Sequence, residues 1–174
     1  MGIQFETDYN METLTAMAKS LRKTVRKKRS RRVHIFAAVV LVLGLLTILA
    51  TTAGGEPLGA SGVVTLLAML VVILVSLFED KLNAWFARKR LLPGTEHAAA
   101  TFEEDGYVSA TSMSESKFSY AQIVAVAETE RYFVFALSSH HTQAYDKRTI
   151  RGGSVEDFRA FIDEKTGKLV ENIK

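Results

Sequence analysis

Two long apolar runs lie back to back and dominate the hydrophobic pattern of this chain. Val33 to Gly55 and Pro57 to Phe78 carry no formal charge, and Glu56 alone parts them. Each holds a stretch of about 20 residues, enough to cross a ~30 Å hydrocarbon slab as a helix. Neither shows the polar stripe, at steps of three and four, that a core helix of a soluble domain presents to water. Val63, Val64, Val71, Val72, Ile73 and Val75 favour strands. An open strand in lipid would leave its backbone groups unpaired, so helix is the expectation for both runs. The link Thr51 to Ser61 holds Gly54, Gly55, Pro57 and Gly59, all turn formers. The pattern predicts an antiparallel transmembrane hairpin with spans at about 33–53 and 62–80. A cleaved signal peptide needs a short start and an apolar region of roughly 7–15 residues, which this longer, later run exceeds.

The flanking segments follow other periods. Ile3-Gln4-Phe5-Glu6 alternates and reads as a short strand that docks on the C-terminal half. Leu14, Met17, Leu21 and Val25 share a helix face, with Asn10 as N-cap, so a long helix from about Met11 is expected to run straight into the first span. Phe78 to Leu92 extends the second span as helix until Pro93-Gly94. Beyond it come strands at 98–102, 107–110, 116–120, 123–128, 131–137 and 142–147, with Asp105-Gly106 as a hairpin signal. Ser154 and Asp157 form a capping-box variant ahead of an apolar stripe, Val155, Phe158, Phe161 and Ile162. That final helix ends at Gly167, or runs on through Leu169, Val170 and Ile173. A small curved sheet plugged by this helix is predicted, with a core thin enough to lean on the membrane stem or the N-terminal segment. Three regions result: 1–32, a short strand and basic amphipathic helix; 33–92, the hairpin with its helical exit; and 93–174, a strand-rich domain.

Charge orients the hairpin. The net +3 averages two unlike parts. Lys19 to Arg32 carries nine Lys/Arg and no acid, whereas His97 onward carries twelve acids against nine bases. Lys81, Arg88, Lys89 and Arg90 follow the second span, and the loop has no base. The positive-inside rule then places both termini in the cytoplasm, with Trp85 and Phe86 at the interface. Arg22, Lys23, Arg26, Lys27, Lys28, Arg29, Arg31 and Arg32 read as membrane-anchoring bases rather than as a nucleic-acid site. The block abuts a membrane entry, where anionic headgroups reward each base by about 1 kcal/mol.

The run Phe118-Ser119-Tyr120-Ala121-Gln122-Ile123-Val124-Ala125-Val126-Ala127-Glu128-Thr129 resembles a strand pair of the YcxB-like family of bacterial membrane proteins. Tyr132-Phe133, Ala144 to Arg148, Gly153 and Glu156 to Ile162 also fit that family, as do two apolar spans after a basic start. Thr149-Ile150-Arg151 departs from it, at a point where an aromatic or small residue is more usual. The resemblance implies an α+β membrane protein: a two-helix transmembrane hairpin with a C-terminal pleckstrin-homology-like (PH-like) β domain closed by one α-helix. It implies the bacterial inner membrane and carries no activity with it.

Candidate chemistry is sparse. Cysteine is absent, which removes disulfides, thiolate nucleophiles and thiolate metal sites. His140 and His141 are neighbours and would point apart on a strand, so they read as turn residues rather than metal ligands. His34, beside Arg31 and Arg32, reads as an interfacial side chain. Glu103-Glu104-Asp105 lacks the ligand spacing of a calcium loop. Ser114, Ser116 and Ser119 sit in no nucleophile elbow, and no phosphate-binding or dinucleotide motif occurs. Lys147, Arg148, Arg151, Gly152, Gly153 and Ser154 form a candidate anion-binding site at a helix start. No catalytic residue, metal or cofactor is expected. The predicted function is a non-enzymatic membrane protein presenting an interaction domain to a protein partner and to anionic headgroups, with a homo-oligomer open. Two alternatives stand: immunity or regulation against a membrane-active toxin, and binding or modification of lipid headgroups. Lipid modification would need Glu128, Asp146 and a histidine to converge in a cleft.

Overall fold

The computed structural model describes residues 2–55 and 57–173; Glu56, the charge in the predicted loop, and the two terminal residues lie outside them. The chain opens with strand β1 (Ile3–Asp8) and helix α1 (Met11–Lys23). Asn10 caps α1 as the sequence predicts, its side chain accepting from the backbone N–H of Glu12 and Thr13. Helices α2 (Lys27–Ala53) and α3 (Ala60–Leu77) form the hairpin, and α4 (Glu79–Lys89) leads out of it. Strands β2 (His97–Phe102), β3 (Tyr107–Thr111) and β4 (Glu115–Phe118) follow. After them come β5 (Ala125–Glu128), β6 (Tyr132–Ala136) and β7 (Thr142–Asp146). Helix α5 (Val155–Thr166) and the short strand β8 (Glu171–Asn172) end the fold.

Two four-stranded sheets result, in the orders β1-β2-β3-β4 and β7-β6-β5-β8. Neighbouring strands are antiparallel except β8, which pairs parallel with β5. The N-terminal strand does dock on the C-terminal half, and it stitches the sheets together. One edge pairs with β2 from Ile3↔Phe102 to Asp8↔His97. Its other side meets the segment after β7, where the Thr149 hydroxyl donates to the Glu6 carbonyl at 2.7 Å and Gln4 bridges to Arg151. The Thr149-Ile150-Arg151 departure therefore sits where β1 is received.

The core is aromatic. Phe5, Phe102, Tyr107, Phe133, Phe135, Tyr145 and Phe158 are buried together with Ile123, Val126 and Ile162. Phe158 of α5 lies 4.7 Å from Phe5, 4.8 Å from Phe102 and 5.0 Å from Phe133 between ring centroids, so the helix reaches both sheets. The capping box at Ser154 and Asp157 forms as read, and Gly167, with φ 61°, ends α5. The tail beyond Gly167 takes strand rather than helical form, and Ile173 is buried.

Every residue of β6 is buried, because the sheet is covered on both faces. Phe133 and Phe135 face the aromatic core, while Tyr132 and Val134 join Ala127, Ala144 and Ile173 beneath Ala16 and Met17 of α1. This docking of α1 overturns the expectation of one straight helix into the first span. The chain turns at Thr24–Arg26, where the Thr24 N–H and hydroxyl both donate to the Ser20 carbonyl. A single rod could not lie on the sheet and also pack against α3. The β-branched pair Thr24-Val25 is a weak point at which to break. A second break falls at Phe78, so α3 stops at Leu77 and α4 leaves as a separate helix along α1.

The hairpin helices are long and apolar enough to cross a membrane, and none of that apolar stretch is buried within the protein. Half-covered positions recur at steps of three and four: Ala37, Val40, Leu41, Gly44 and Ile48 on α2, and Gly62, Thr65, Met69, Val72 and Ser76 on α3. These form the seam between the two helices. Gly44 permits it, since a Cβ there would lie 2.8 Å from the Met69 sulfur.

Candidate functional site

A cleft of about 820 Å³ opens between α1 and the sheet β7-β6-β5-β8, lined among others by Glu12, Lys19, Glu128, Arg131, Tyr132 and Lys147. One buried carboxylate at a strand end, Glu128, lines it, and a second, Asp146, is bound by its lining residue Arg131. Glu128 accepts from Lys147 Nζ at 3.0 Å and from Arg159 at 2.7 and 2.8 Å. The Arg159 guanidinium is the main reason its carboxyl is held below the ordinary value, and the Lys147 ammonium adds to this against the cost of burial. Asp146 accepts from Arg131 Nε at 2.9 Å and from Arg148 Nη2 at 3.0 Å, and it caps the following turn through the Arg148 N–H. Arg131 also binds Glu12 of α1, which ties the helix to the sheet. Tyr132 donates no charge to this cluster: burial raises its phenol above the ordinary value.

Each buried carboxylate thus faces two cations. A carboxylate that serves as general base or nucleophile needs an open lone pair toward substrate. Here those lone pairs are taken by side chains of the same domain. His140 and His141 lie in the β6–β7 turn, at the end of β7 opposite Asp146 and about 16 Å of strand away. The structure brings Glu128 and Asp146 to one side of the domain and leaves the histidines on another. Among the described residues, no group of three or more histidine, aspartate or glutamate side chains is arranged to hold a metal ion.

The candidate anion site at the start of α5 is dispersed. Lys147 turns to Glu128, Arg148 to Asp146 and Arg151 to Glu6. The Ser154 hydroxyl and N–H both bind Asp157, which accepts at 2.7 and 3.0 Å. Gly152, with φ 82°, passes so close to Gly2 that a Cβ would lie 2.5 Å from its carbonyl oxygen. Gly152 and Gly2 serve chain packing, and the hollow beside them is lined by Glu103, Glu104, Asp105, Asp157 and Glu164 against a single base, Lys165. An anion would meet net repulsion there, and the bases that lie close in sequence are bound elsewhere.

The basic segment spreads along the α1–α2 junction. Arg22 grips Asp80 of α4 with both ends of its fork, at 2.7 and 2.6 Å, and lies 3.8 Å from Glu79. Lys27, Lys28, Arg29, Arg31 and Arg32 are exposed on the first turns of α2. Lys23, Lys27 and Arg31 line one hollow with His34 and Glu171. Arg26 stands apart at the helix break, donating from Nε to the Ser139 carbonyl at 2.6 Å, with Nη2 3.0 Å from His140 Nδ1. Sequence reasoning treated these eight bases as one block. The pairing of Arg22 with α4 and of Arg26 with the β6–β7 turn is long-range, and so left no local signal.

Residues 102–162, roughly a third of the chain, match the family model described as YcxB-like protein. The match takes in the strand and helix motifs on which that resemblance rests, though not the two apolar spans, and it runs from the end of β2 through Ile162 of α5. No curated protein and no solved structure matches.

Proposed function

We propose, from the YcxB-like match and the exposed hairpin together, that this chain is an integral protein of a bacterial inner membrane. Its hairpin inserts α2 and α3, with both termini on the cytoplasmic side. A PH-like domain is held against that face as an interaction module and not as an enzyme. The observation that carries this reading is the exposure of the hairpin, whose large side chains such as Phe36 at 69% and Leu77 at 72% have no covering within the chain. Only lipid or other apolar partners would take such a surface out of water. The bases flank the outer ends of both helices and are missing from the loop, which supports the orientation. Two four-stranded sheets with α5 reaching both support the PH-like description.

The grip of α1 on α4 fixes the domain to the stem. It would therefore present the charged cleft beside α1 in a constant orientation to a protein partner. The pairing of Glu128 and Asp146 with two cations each favours such a surface over catalysis.

The lack of cysteine makes topology directly measurable. A single cysteine at Ala60 should react with an impermeant maleimide on spheroplasts, and one at Lys168 should react only after permeabilisation. Equal labelling of both sites on intact spheroplasts, or release of the protein by alkaline carbonate, would overturn the reading.

A further inference from the structure

A notch of about 430 Å³ lies between α1, α4 and the β6–β7 turn. Leu14, Met17 and Leu21 form one wall and Phe86 with Arg90 another, while His140 and Arg26 close the ends. Arg26 is unusual among the junction bases, because it is pinned at a defined place without an acid. Its two hydrogen-bond partners are the neutral Ser139 carbonyl and His140, and no carboxylate among the described residues lies within ion-pair distance. Burial chiefly, and then the field of Arg29, lower its affinity for a proton, against the weaker pull of Glu79. Arg90, exposed on the opposite wall, makes no side-chain hydrogen bond or ion pair among the described residues.

The start of α2 lacks the same thing. Arg26 is its N-cap residue, no side chain caps it, and no acid stands in its first turn. The positive end of the helix dipole thus sits beside several bases, an arrangement that favours an anion. We propose that the notch is a site for the phosphate of one anionic phospholipid headgroup, with Arg26 as principal ligand and Arg90 and His140 beside it. The proposal rests on the membrane reading above. Val33 opens the apolar run seven residues after Arg26, about 10 Å along a helix, so Arg26 stands at headgroup depth. The exposed bases Lys27, Lys28, Arg29 and Arg32 attract the surface diffusely; the notch would hold a single molecule.

Native mass spectrometry of the full chain released from detergent tests this, with phosphatidylglycerol and phosphatidylcholine supplied in equal amounts. The wild type should retain one phosphatidylglycerol in preference to phosphatidylcholine. Arg26→Gln should weaken that retention about tenfold, the scale of one lost charged hydrogen bond. Arg26 also ties the helix break to Ser139, so Arg90→Gln, free of any such tie, should weaken retention as well. Lys28→Gln, of equal charge change but outside the notch, should leave it unaltered. Equal losses from Lys28→Gln and Arg26→Gln would overturn the site in favour of diffuse attraction. Equal retention of phosphatidylcholine, or displacement by inorganic phosphate at matched concentration, would overturn the lipid assignment. Flotation with phosphatidylglycerol vesicles separates the two readings. A chain that floats yet shows no Arg26 effect sinks the notch alone, and one that fails to float sinks the membrane reading itself.

Discussion

Glu128 sits 5% exposed between Lys147 and Arg159, and loss of its charge would leave two cations without a counter-ion. Breaking one side of a buried pair costs about 3–5 kcal/mol, and the partial exposure of Arg159 places Glu128→Gln near the lower figure, about 3 kcal/mol. The direction with pH follows from the depressed carboxyl. Stability from a group whose folded pKa lies below its unfolded value is fully present above that unfolded value, about 4.3 for glutamate. It is lost as pH falls through the folded pKa. The melting temperature of the wild type should exceed that of Glu128→Gln at neutral pH, and the gap should close below about pH 4. A gap that persists unchanged in acid would mean that Glu128 acts through shape and not charge. Glu128 reads in sequence as the last residue of an apolar strand run, and nothing local shows that Arg159, on α5, will meet it.

Among the elements, α1 is the joint of the molecule. Its one face serves two partners: Leu14 and Leu21 are buried, and Arg22 binds Asp80 at the start of α4. Ala84 of α4 is fully buried at this level, the sole buried residue of its helix among those described. Small size at position 84 is therefore what lets the helices approach. Ala84→Leu would overpack that contact at a cost of about 1–3 kcal/mol. It should expose the Lys23–Lys27 segment to trypsin well before the aromatic core melts; cleavage there at the wild-type rate would show that α1 is held by the sheet alone. The amphipathic period from Leu14 to Leu21 was legible as a helix face. The break at Thr24–Arg26 was not, since it depends on α1 having a sheet to lie on and α2 having α3.

For the whole molecule, the strand domain cannot be cut at Pro93. Phe5 is 1% exposed and touches Phe102, Tyr145 and Phe158 in the centre of the core. The backbone of β1 also pairs with β2 and bridges to Arg151. Removing residues 1–26 would leave one sheet edge open and a cavity the size of a phenylalanine, itself a loss of about 3–5 kcal/mol. The deleted protein should show no cooperative thermal transition by near-ultraviolet circular dichroism, and a sharp transition would refute the idea that β1 belongs to the core. A thin domain has little stability in reserve for such a loss.

The amino-acid sequence alone determined what depends on composition and short-range period. The two apolar rods, the bases at their outer ends, the caps at Asn10 and Ser154 and the stop at Gly167 each follow from residues within a turn or two of one another. So did the β1 alternation, which announced a strand though not its two neighbours. The tertiary structure decided where charges meet. Lys147, Arg148 and Arg151 lie close in sequence yet bind three carboxylates on different elements, while Arg26, Arg90 and His140 come from three distant stretches to line one notch. Local periodicity fixes which face of an element is apolar, because that face repeats with the backbone. An ion pair has no period, so its partner is known only once the chain has folded back on itself.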